Sequence, residues 1–223
     1  MYTVYKIDYI RAMRIINDEL SKQAYKKVKQ MIVSRKLEPG QKIVQEQLAD
    51  KLGISRTPLR AALRMLEAES LIESIPRRGV VVRQFSDAEI IEIYDCRIAL
   101  ESTAVRLFTE KASQSQVDRL HKVLSIFGKG TIDTRQYQQA DSEFHDMIIK
   151  NCGNAFLYDL FQKGNLLGCI DRIGLVRTPE ETLPEHLNII SAIHQRDVNL
   201  AEKLIKEHLE KSRQLILKKM KDA

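Results

Sequence analysis

Apolar residues between positions 44 and 82 follow a helical spacing at first and an extended spacing afterwards. Gln45–Lys51 predicts a short helix, and Gly53 supplies a tight turn after it. The inward face of a second predicted helix is formed by Leu59, Leu63 and Leu66. Two helices joined by a short turn predict a helix-turn-helix.

The outward face of the second predicted helix is basic. Arg56, Arg60 and Arg64 recur every fourth residue, so they share one side of the helix. Arginines near the start of a helix suit the major groove of DNA, where a bidentate arginine reads guanine and others hold phosphates. We therefore expect these arginines to contact DNA, together with Thr57 in the first turn.

Two apolar runs, Leu71–Ile75 and Val80–Val82, come next and are joined by a turn with two arginines. This pattern predicts a β-hairpin with a basic tip, which is typical of the wing that follows some helix-turn-helix motifs. We expect Arg77, Arg78 and Gly79 to support DNA binding at the backbone or in the minor groove.

Residues 21–84 closely resemble the DNA-binding domain of the GntR family of bacterial transcription regulators. The motifs LEPG, LADKLGISRTPLRAALRMLEAESLIE and RRG carry the resemblance. It implies a winged helix-turn-helix that binds double-stranded DNA. The chain departs from the family at Glu46, where many relatives have an arginine that contacts DNA. Glu46 either accepts a hydrogen bond from cytosine N4 or faces solvent, and the lost positive charge could come from Lys42, Lys51 or Arg35.

After residue 84 the pattern is helical throughout and shows no strand-type alternation. Ser86 and Glu89 predict a capping box that opens the first helix of this part. We expect six helices in an all-α bundle, at about 86–111, 114–127, 133–151, 154–175, 180–195 and 197–221. The predicted fold is therefore mainly α, with an N-terminal winged helix-turn-helix domain and a C-terminal six-helix bundle.

The chain is accordingly divided into an N-terminal extension at 1–20, a DNA-binding domain at 21–84 and a helical domain at 85–223. The extension has an imperfect apolar stripe. It is either an arm that packs on the body or on DNA, or a segment without a role that precedes an alternative start at Met13.

Four polar residues fall on the predicted inward faces of three helices in the C-terminal domain: Asp141, His145, His186 and His208. A single inward histidine is more often an ordinary core residue than a metal ligand. Four such residues are different, because a buried carboxylate without a partner is unfavourable by several kcal/mol and a divalent cation removes that penalty. Three imidazoles and one carboxylate suit zinc, nickel, manganese or iron.

The C-terminal domain also resembles a known domain, the FCD-type effector domain of the FadR branch of the GntR family, and its six predicted helices are similar to the VanR-type form. The resemblance rests on four groups of residues: Tyr94, Arg97, Leu100 and Glu101; Asp141, Phe144 and His145; Glu185 and His186; and a last motif that ends at His208. It implies a metal bound by the Asp/His/His/His set.

Arg97 shares the inward face of its helix with Glu101. One interpretation is an internal salt bridge between the two. The other is that Arg97 clamps the carboxylate of a small organic acid whose other end binds the metal. Arg172 could assist in binding this effector, and Glu101 is counted with Arg97 as an effector-binding candidate.

Net charge is unevenly distributed along the 223 residues. Residues 1–83 carry a net charge of +8 and residues 84–223 a net charge of −2, which fits a nucleic-acid-binding head on a near-neutral body. Three widely spaced cysteines argue against a disulfide framework, and no stretch has the apolar length of a membrane span. We expect a cytoplasmic protein.

These patterns together predict a homodimeric, metal-containing, ligand-responsive transcription regulator that binds a palindromic DNA operator, with repression as the expected outcome. One alternative is a metal sensor in which the ion itself is the signal. Another is a metal-dependent hydrolase, which would need a general base; Glu101 is the candidate, and the chain has no HExxH motif. A non-enzymatic regulator is the favoured reading.

Overall fold

The computed structural model describes residues 19–128, 131–164 and 166–222, and describes only the backbone of Leu167, Asp171 and Arg172. Most of the predicted N-terminal extension, residues 1–18, lies outside the described residues. The chain divides into two compact units, one ending at Gln84 and the other beginning at Phe85. We refer to them as the head and the body.

The head contains the predicted helices and hairpin. Its elements are α1 (19–33), α2 (Gln45–Leu52), α3 (Arg56–Ala68), β1 (Ile72–Ile75) and β2 (Gly79–Val82). Gly53 ends α2 with a φ of 66°, a left-handed conformation that glycine adopts without strain, and this produces the turn into α3. The strands pair antiparallel, with Ile72 opposite Val82 and Ile75 opposite Gly79. The winged helix-turn-helix is thereby confirmed.

The head has its own apolar core, and polar contacts hold α1 against the end of α3. Leu59 and Leu66 on α3 are completely buried. The Tyr25 hydroxyl donates to Glu69 Oε1 at 2.5 Å, and Lys29 Nζ lies 2.7 Å from Glu69 Oε2. The inward side of α3 is therefore committed to packing, which leaves its other side available for contacts outside the head.

The body is helical throughout its described residues. Its elements are α4 (Asp87–Lys111), α5 (Gln114–Ser125), α6 (Thr134–Asn151), α7 (Ala155–Lys163), α8 (Leu166–Ile173), α9 (Pro179–His194) and α10 (Val198–Lys221). The predicted capping box at Ser86 is present, since Glu89 N donates to Ser86 Oγ at 3.3 Å and Ser86 N donates to Glu89 Oε2 at 2.9 Å. No helix in the described part of the chain is long and apolar enough to cross a bilayer.

The helix predicted at 154–175 is divided into two, so the described body has one helix more than the six expected. The break follows Lys163, where Gly164 donates its N–H to Leu160 O at 2.9 Å and ends α7. Glycine has a low helix propensity, which weakens the helix at this point. Apolar residues continue at helical spacing on both sides of Gly164, so the sequence pattern alone did not reveal the break.

Large side chains fill the centre of the body. Tyr137, Phe108, Phe144 and Phe161 are fully buried there and belong to one continuous apolar cluster. Helices α4, α6, α9 and α10 all contribute to this cluster, and the same four helices carry the polar residues that lie buried beside it. The fold therefore brings polar side chains from distant parts of the sequence into one dry region.

Candidate metal centre and nucleic-acid interface

The four predicted metal ligands converge inside the body. Asp141 and His145 lie one turn apart on α6, His186 lies on α9 and His208 on α10, and all four are buried. One ligand atom from each lies within 4.8 Å of the others. Side chains from three helices thus meet at a single point, and each of the three histidines also has a specific outer partner.

The outer partner of His145 is Glu101 on α4. His145 Nδ1 lies 2.5 Å from Glu101 Oε2, and Arg97 Nε donates to Glu101 Oε1 at 2.6 Å. Burial raises the pKa of the Glu101 carboxyl, but the charge of Arg97 and the contacts with Arg97 and His145 outweigh it and lower the pKa to about 2. Because an ionised carboxylate can only accept, His145 Nδ1 carries the ring proton and Nε2 keeps its lone pair.

A chain of hydroxyl groups determines the protonation of His186. Thr182 Oγ1 donates to Thr178 O at 3.0 Å, so it accepts the proton of the Tyr137 hydroxyl, which lies 2.9 Å away. The Tyr137 oxygen then accepts from His186 Nδ1 at 3.0 Å. His186 therefore also presents an unprotonated Nε2, as inferred from this hydrogen-bond network.

His208 shows the same arrangement. Its Nδ1 lies 2.8 Å from Glu185 Oε2, so the carboxylate accepts the Nδ1 proton and Nε2 is again left with a lone pair. This Nε2 lies 3.2 Å from the Nε2 of His186, which is itself 3.5 Å from Asp141 Oδ1. Burial lowers the pKa of both rings, so neither carries a second proton that the two nitrogens could share.

Nitrogen lone pairs and a carboxylate that face each other in a buried site repel unless a cation lies between them. The buried ring of His145 supports this interpretation: neither ring nitrogen makes a hydrogen bond of good geometry among the described residues, and only Nδ1 has a charged group, Glu101, beside it. Three imidazoles and one carboxylate, each histidine oriented by an outer partner, form a suitable donor set for a divalent transition metal. The residues present therefore fit the group that the sequence predicted.

The two residues predicted to bind an effector, Arg97 and Glu101, form the internal salt bridge that was the alternative interpretation of their spacing. This pairing does not use the whole guanidinium, because the buried Nη2 of Arg97 has no partner within the described residues. The charge of Arg97 is close enough to act on both Asp141 and His186. The side chain of Arg172 lies outside the described residues.

Sequence reasoning did not assign roles to three residues that complete the site. The sequence pattern predicts no role for Tyr137, and Glu185 enters only as the residue before His186 in a family motif. The sequence pattern predicts no role for Arg177 either, yet its guanidinium makes a bidentate pair with Glu185 at 3.0 and 2.6 Å. No periodicity identifies Arg177, since it lies in the irregular segment between α8 and α9.

In the head, the predicted DNA-binding side chains lie on the outer surface. Arg56, Thr57, Arg60 and Arg64 on α3 are exposed, as are Arg77 and Arg78 between the strands. Gly79 begins β2 with a φ of 84°, which suits glycine at this turn.

One cleft in the head brings part of this set together. It is lined by residues from α3, from the segment before α2 and from the wing, among them Lys42, Glu46, Arg56, Arg60 and Gly79. Glu46 thus lies beside the two arginines at the start of α3. Of the three residues expected to replace the positive charge that Glu46 lacks, Lys42 lines this cleft. Arg64, Arg77 and Arg78 lie on the same unit outside the lining of the cleft.

Comparison with protein-family models gives two matches. Residues 20–82 match the model of the bacterial regulatory proteins of the gntR family, and residues 92–211 match that of the FCD domain. The HTH-type transcriptional regulator YdhC of Bacillus subtilis (strain 168) is 31% identical over 194 residues, which span 83% of this chain and 86% of that protein. The HTH-type transcriptional repressor RspR of Escherichia coli (strain K12) is 26% identical over 200 residues, 86% of each chain.

Two solved structures share the fold. A transcriptional regulator GntR from Rhodococcus sp. RHA1 superimposes with a TM-score of 0.75 at 22% identity, over 88% of this chain and 97% of that one. McbR/YncC of E. coli superimposes with a TM-score of 0.69 at 21% identity, over 90% and 98% of the two chains. At these identities the structural likeness is evidence of a common fold.

The Tyr137 hydroxyl should stabilise the body by accepting from His186. We expect Tyr137→Phe to lower the free energy of unfolding of the metal-free protein by about 1–3 kcal/mol, because a buried N–H loses its acceptor. Tyr158→Phe is the matched control, since the Tyr158 hydroxyl has no hydrogen bond among the described residues. Chemical denaturation of the full chain measures the free energy of unfolding of both variants. Equal stability of the two would contradict the proposed hydrogen bond from His186 Nδ1 to the Tyr137 hydroxyl.

Proposed function

This chain belongs to the GntR family of bacterial regulatory proteins, with an FCD domain as its body, and from that premise we propose that it is a ligand-responsive repressor that binds a palindromic operator as a homodimer. It is a DNA-binding transcription regulator, like its relatives, and not an enzyme. The hydrolase alternative is therefore set aside. As a regulator of chromosomal genes it would act in the cytoplasm.

The proposal for the body is a metal-assisted effector site. Asp141, His145, His186 and His208 would hold one divalent ion, with zinc, nickel, manganese or iron as the candidates. The bound ion would supply a positive centre to which a carboxylate can attach. The converging Nε2 atoms, two of them 3.2 Å apart without a proton between them, are the observation that carries this proposal.

The effector that fits the site best is a small organic acid. Arg97 is buried, and its Nε donates to Glu101. Its Nη2 has no partner among the described residues and remains available as a donor. A planar guanidinium with a free N–H suits a carboxylate. A sensor of the ion alone would not need this donor, so Arg97 favours an organic acid over the metal-sensing alternative.

The proposal for the head is that α3 enters the major groove. The cleft that joins Arg56 and Arg60 to Lys42 and the start of the wing supports this, since it places a basic surface at the N-terminal end of an exposed helix. The arginines in the wing would then contact the neighbouring backbone or minor groove. The two-fold symmetry of a dimer would let two heads read the two halves of a palindrome.

The DNA assignment is tested with single alanine variants. Arg56→Ala and Arg60→Ala should each weaken specific operator binding by about 1–3 kcal/mol if the side chain reads a base. The control is Arg119→Ala, which removes an exposed arginine from the body. Gel-shift titration at fixed salt on an operator selected from random DNA measures the change. Wild-type affinity in both head variants would exclude the assignment.

The metal assignment is tested by elemental analysis of untagged protein purified without chelator. We expect close to one divalent ion per chain, and a lower metal content together with lower body stability in His186→Ala. His194→Ala is the control, because His194 is exposed on the same helix. Sub-stoichiometric metal that zinc, nickel and manganese all fail to restore would overturn both the site and the role of Arg97.

The dimer is tested by sedimentation. An isolated winged domain covers few base pairs, so we expect a dimer of the 25.7 kDa chain at micromolar concentration. Sedimentation equilibrium with and without operator DNA measures the mass. A monomer under both conditions would contradict the proposal that a homodimer binds a palindromic operator.

A further inference from the structure

We propose that Glu185 and Arg177 are positioning residues of the metal centre, and that Glu185 selects the tautomer of His208 that can bind the ion. This inference rests on the proposed metal centre and goes beyond its ligand set. Neither residue is among the four ligands. Their contacts to His208 are nevertheless specific enough to decide whether its Nε2 is available.

Glu185 is the group that keeps the ring proton of His208 on Nδ1. Its Oε2 lies 2.8 Å from His208 Nδ1, on the side of the ring away from the converging ligand atoms. A histidine has one ring proton when neutral, so holding it at Nδ1 leaves the Nε2 lone pair free. Outer carboxylates of this kind orient ligating histidines and increase their basicity.

Arg177 holds Glu185 in place. Its Nη1 and Nη2 donate to the two oxygens of the Glu185 carboxylate at 3.0 and 2.6 Å. Its Nε donates to Ser212 Oγ at 3.1 Å, and Nη2 also donates to the His208 carbonyl at 3.0 Å. Every guanidinium nitrogen is therefore engaged within the protein. Unlike Arg97, Arg177 keeps no free nitrogen for an effector, which indicates a positioning role.

The same geometry makes Arg177 harmful when Glu185 is absent. Arg177 Nη2 lies 3.3 Å from His208 Nδ1. A guanidinium can only donate, so without the carboxylate it becomes the nearest partner of Nδ1 and forces that nitrogen to accept. The ring proton of His208 would move to Nε2, the atom that must bind the ion. Loss of Glu185 should thus leave a proton on His208 Nε2 and prevent this nitrogen from binding the ion.

A second observation links this pair to the rest of the site. Lys211 Nζ lies 2.7 Å from Glu185 Oε1, so the carboxylate joins residues of α9, α10 and the segment before α9. The competing explanation is a structural ion pair that only ties these segments together. The two explanations differ in the tautomer of His208, since an ion pair that only ties segments together does not decide which ring nitrogen carries the proton.

The test compares zinc affinity in four forms of the full-length protein: wild type, Glu185→Ala, Arg177→Ala and the double variant. Competition with a chromophoric chelator measures affinity. We expect Glu185→Ala to bind zinc about 10–100-fold more weakly than wild type. Arg177→Ala should lose less, because Lys211 still holds the carboxylate. The double variant should bind more tightly than Glu185→Ala, since the donor that captures Nδ1 is gone.

A tautomer measurement and a control variant complete the test. Nitrogen-detected NMR of the metal-free proteins should show His208 with its proton on Nδ1 in wild type and on Nε2 in Glu185→Ala. Asp95→Asn is the matched control, because Asp95 also pairs with an arginine, Arg213 of α10, whose Nε lies 2.6 Å from Asp95 Oδ1. Within the described residues, neither member of this pair makes a hydrogen bond to a proposed ligand. Asp95→Asn should leave zinc affinity unchanged. Should Glu185→Ala fail to fold, Glu185→Leu is measured instead, because leucine also lacks an acceptor for the Nδ1 proton, and the same weakening is expected.

The outcomes separate the two proposals. Wild-type zinc affinity in folded Glu185 variants would overturn the positioning role and leave the metal centre standing. A double variant no tighter than Glu185→Ala, with His208 still protonated at Nδ1, would also overturn it. Absence of zinc binding in the wild type itself would overturn the metal centre and this inference together.

Discussion

The central constraint on the body is the electrostatic repulsion between ligand atoms that face each other in its interior. The Nε2 atoms of His186 and His208 face each other at 3.2 Å in a dry interior, with the Asp141 carboxylate and a third imidazole alongside. Each ring has its proton held on the opposite nitrogen by a separate outer partner, so the repulsion cannot be relieved by sharing a proton. Such an arrangement is stable when a cation occupies the centre, and the surrounding network is best understood as preparation for one.

In the proposed regulator, this arrangement connects the metal centre to the helix that follows the head. Helix α4 carries Tyr94, Arg97 and Glu101, and it begins at Asp87, three residues after the head ends at Gln84. The cation of Arg97 stacks on the Tyr94 ring at 5.0 Å. An effector that engaged Arg97 would therefore act on the helix that directly follows the DNA-binding head. A shift in the population of α4 positions is a physical route from effector to operator.

Much of this molecule follows from local sequence rules. The Arg56, Arg60 and Arg64 face, the turn at Gly53 and the capping box at Ser86 are each encoded within a few residues, and the structure contains all of them. The burial of the four proposed ligands was also predictable, because helical spacing places these polar residues on the apolar faces of their helices. The roles of Tyr137, Glu185 and Arg177 were not, since they depend on contacts between residues up to 49 positions apart. The break at Gly164 was missed because apolar periodicity continues across it.

The most direct test of this account is anomalous diffraction from crystals of the full chain grown from untagged, chelator-free protein, with data collected on both sides of the absorption edge of the bound metal. The account predicts one anomalous peak per chain, enclosed by the Nε2 atoms of His145, His186 and His208 and by the carboxylate of Asp141. An anomalous map without a peak at that position, from protein soaked in zinc, nickel or manganese, would contradict it.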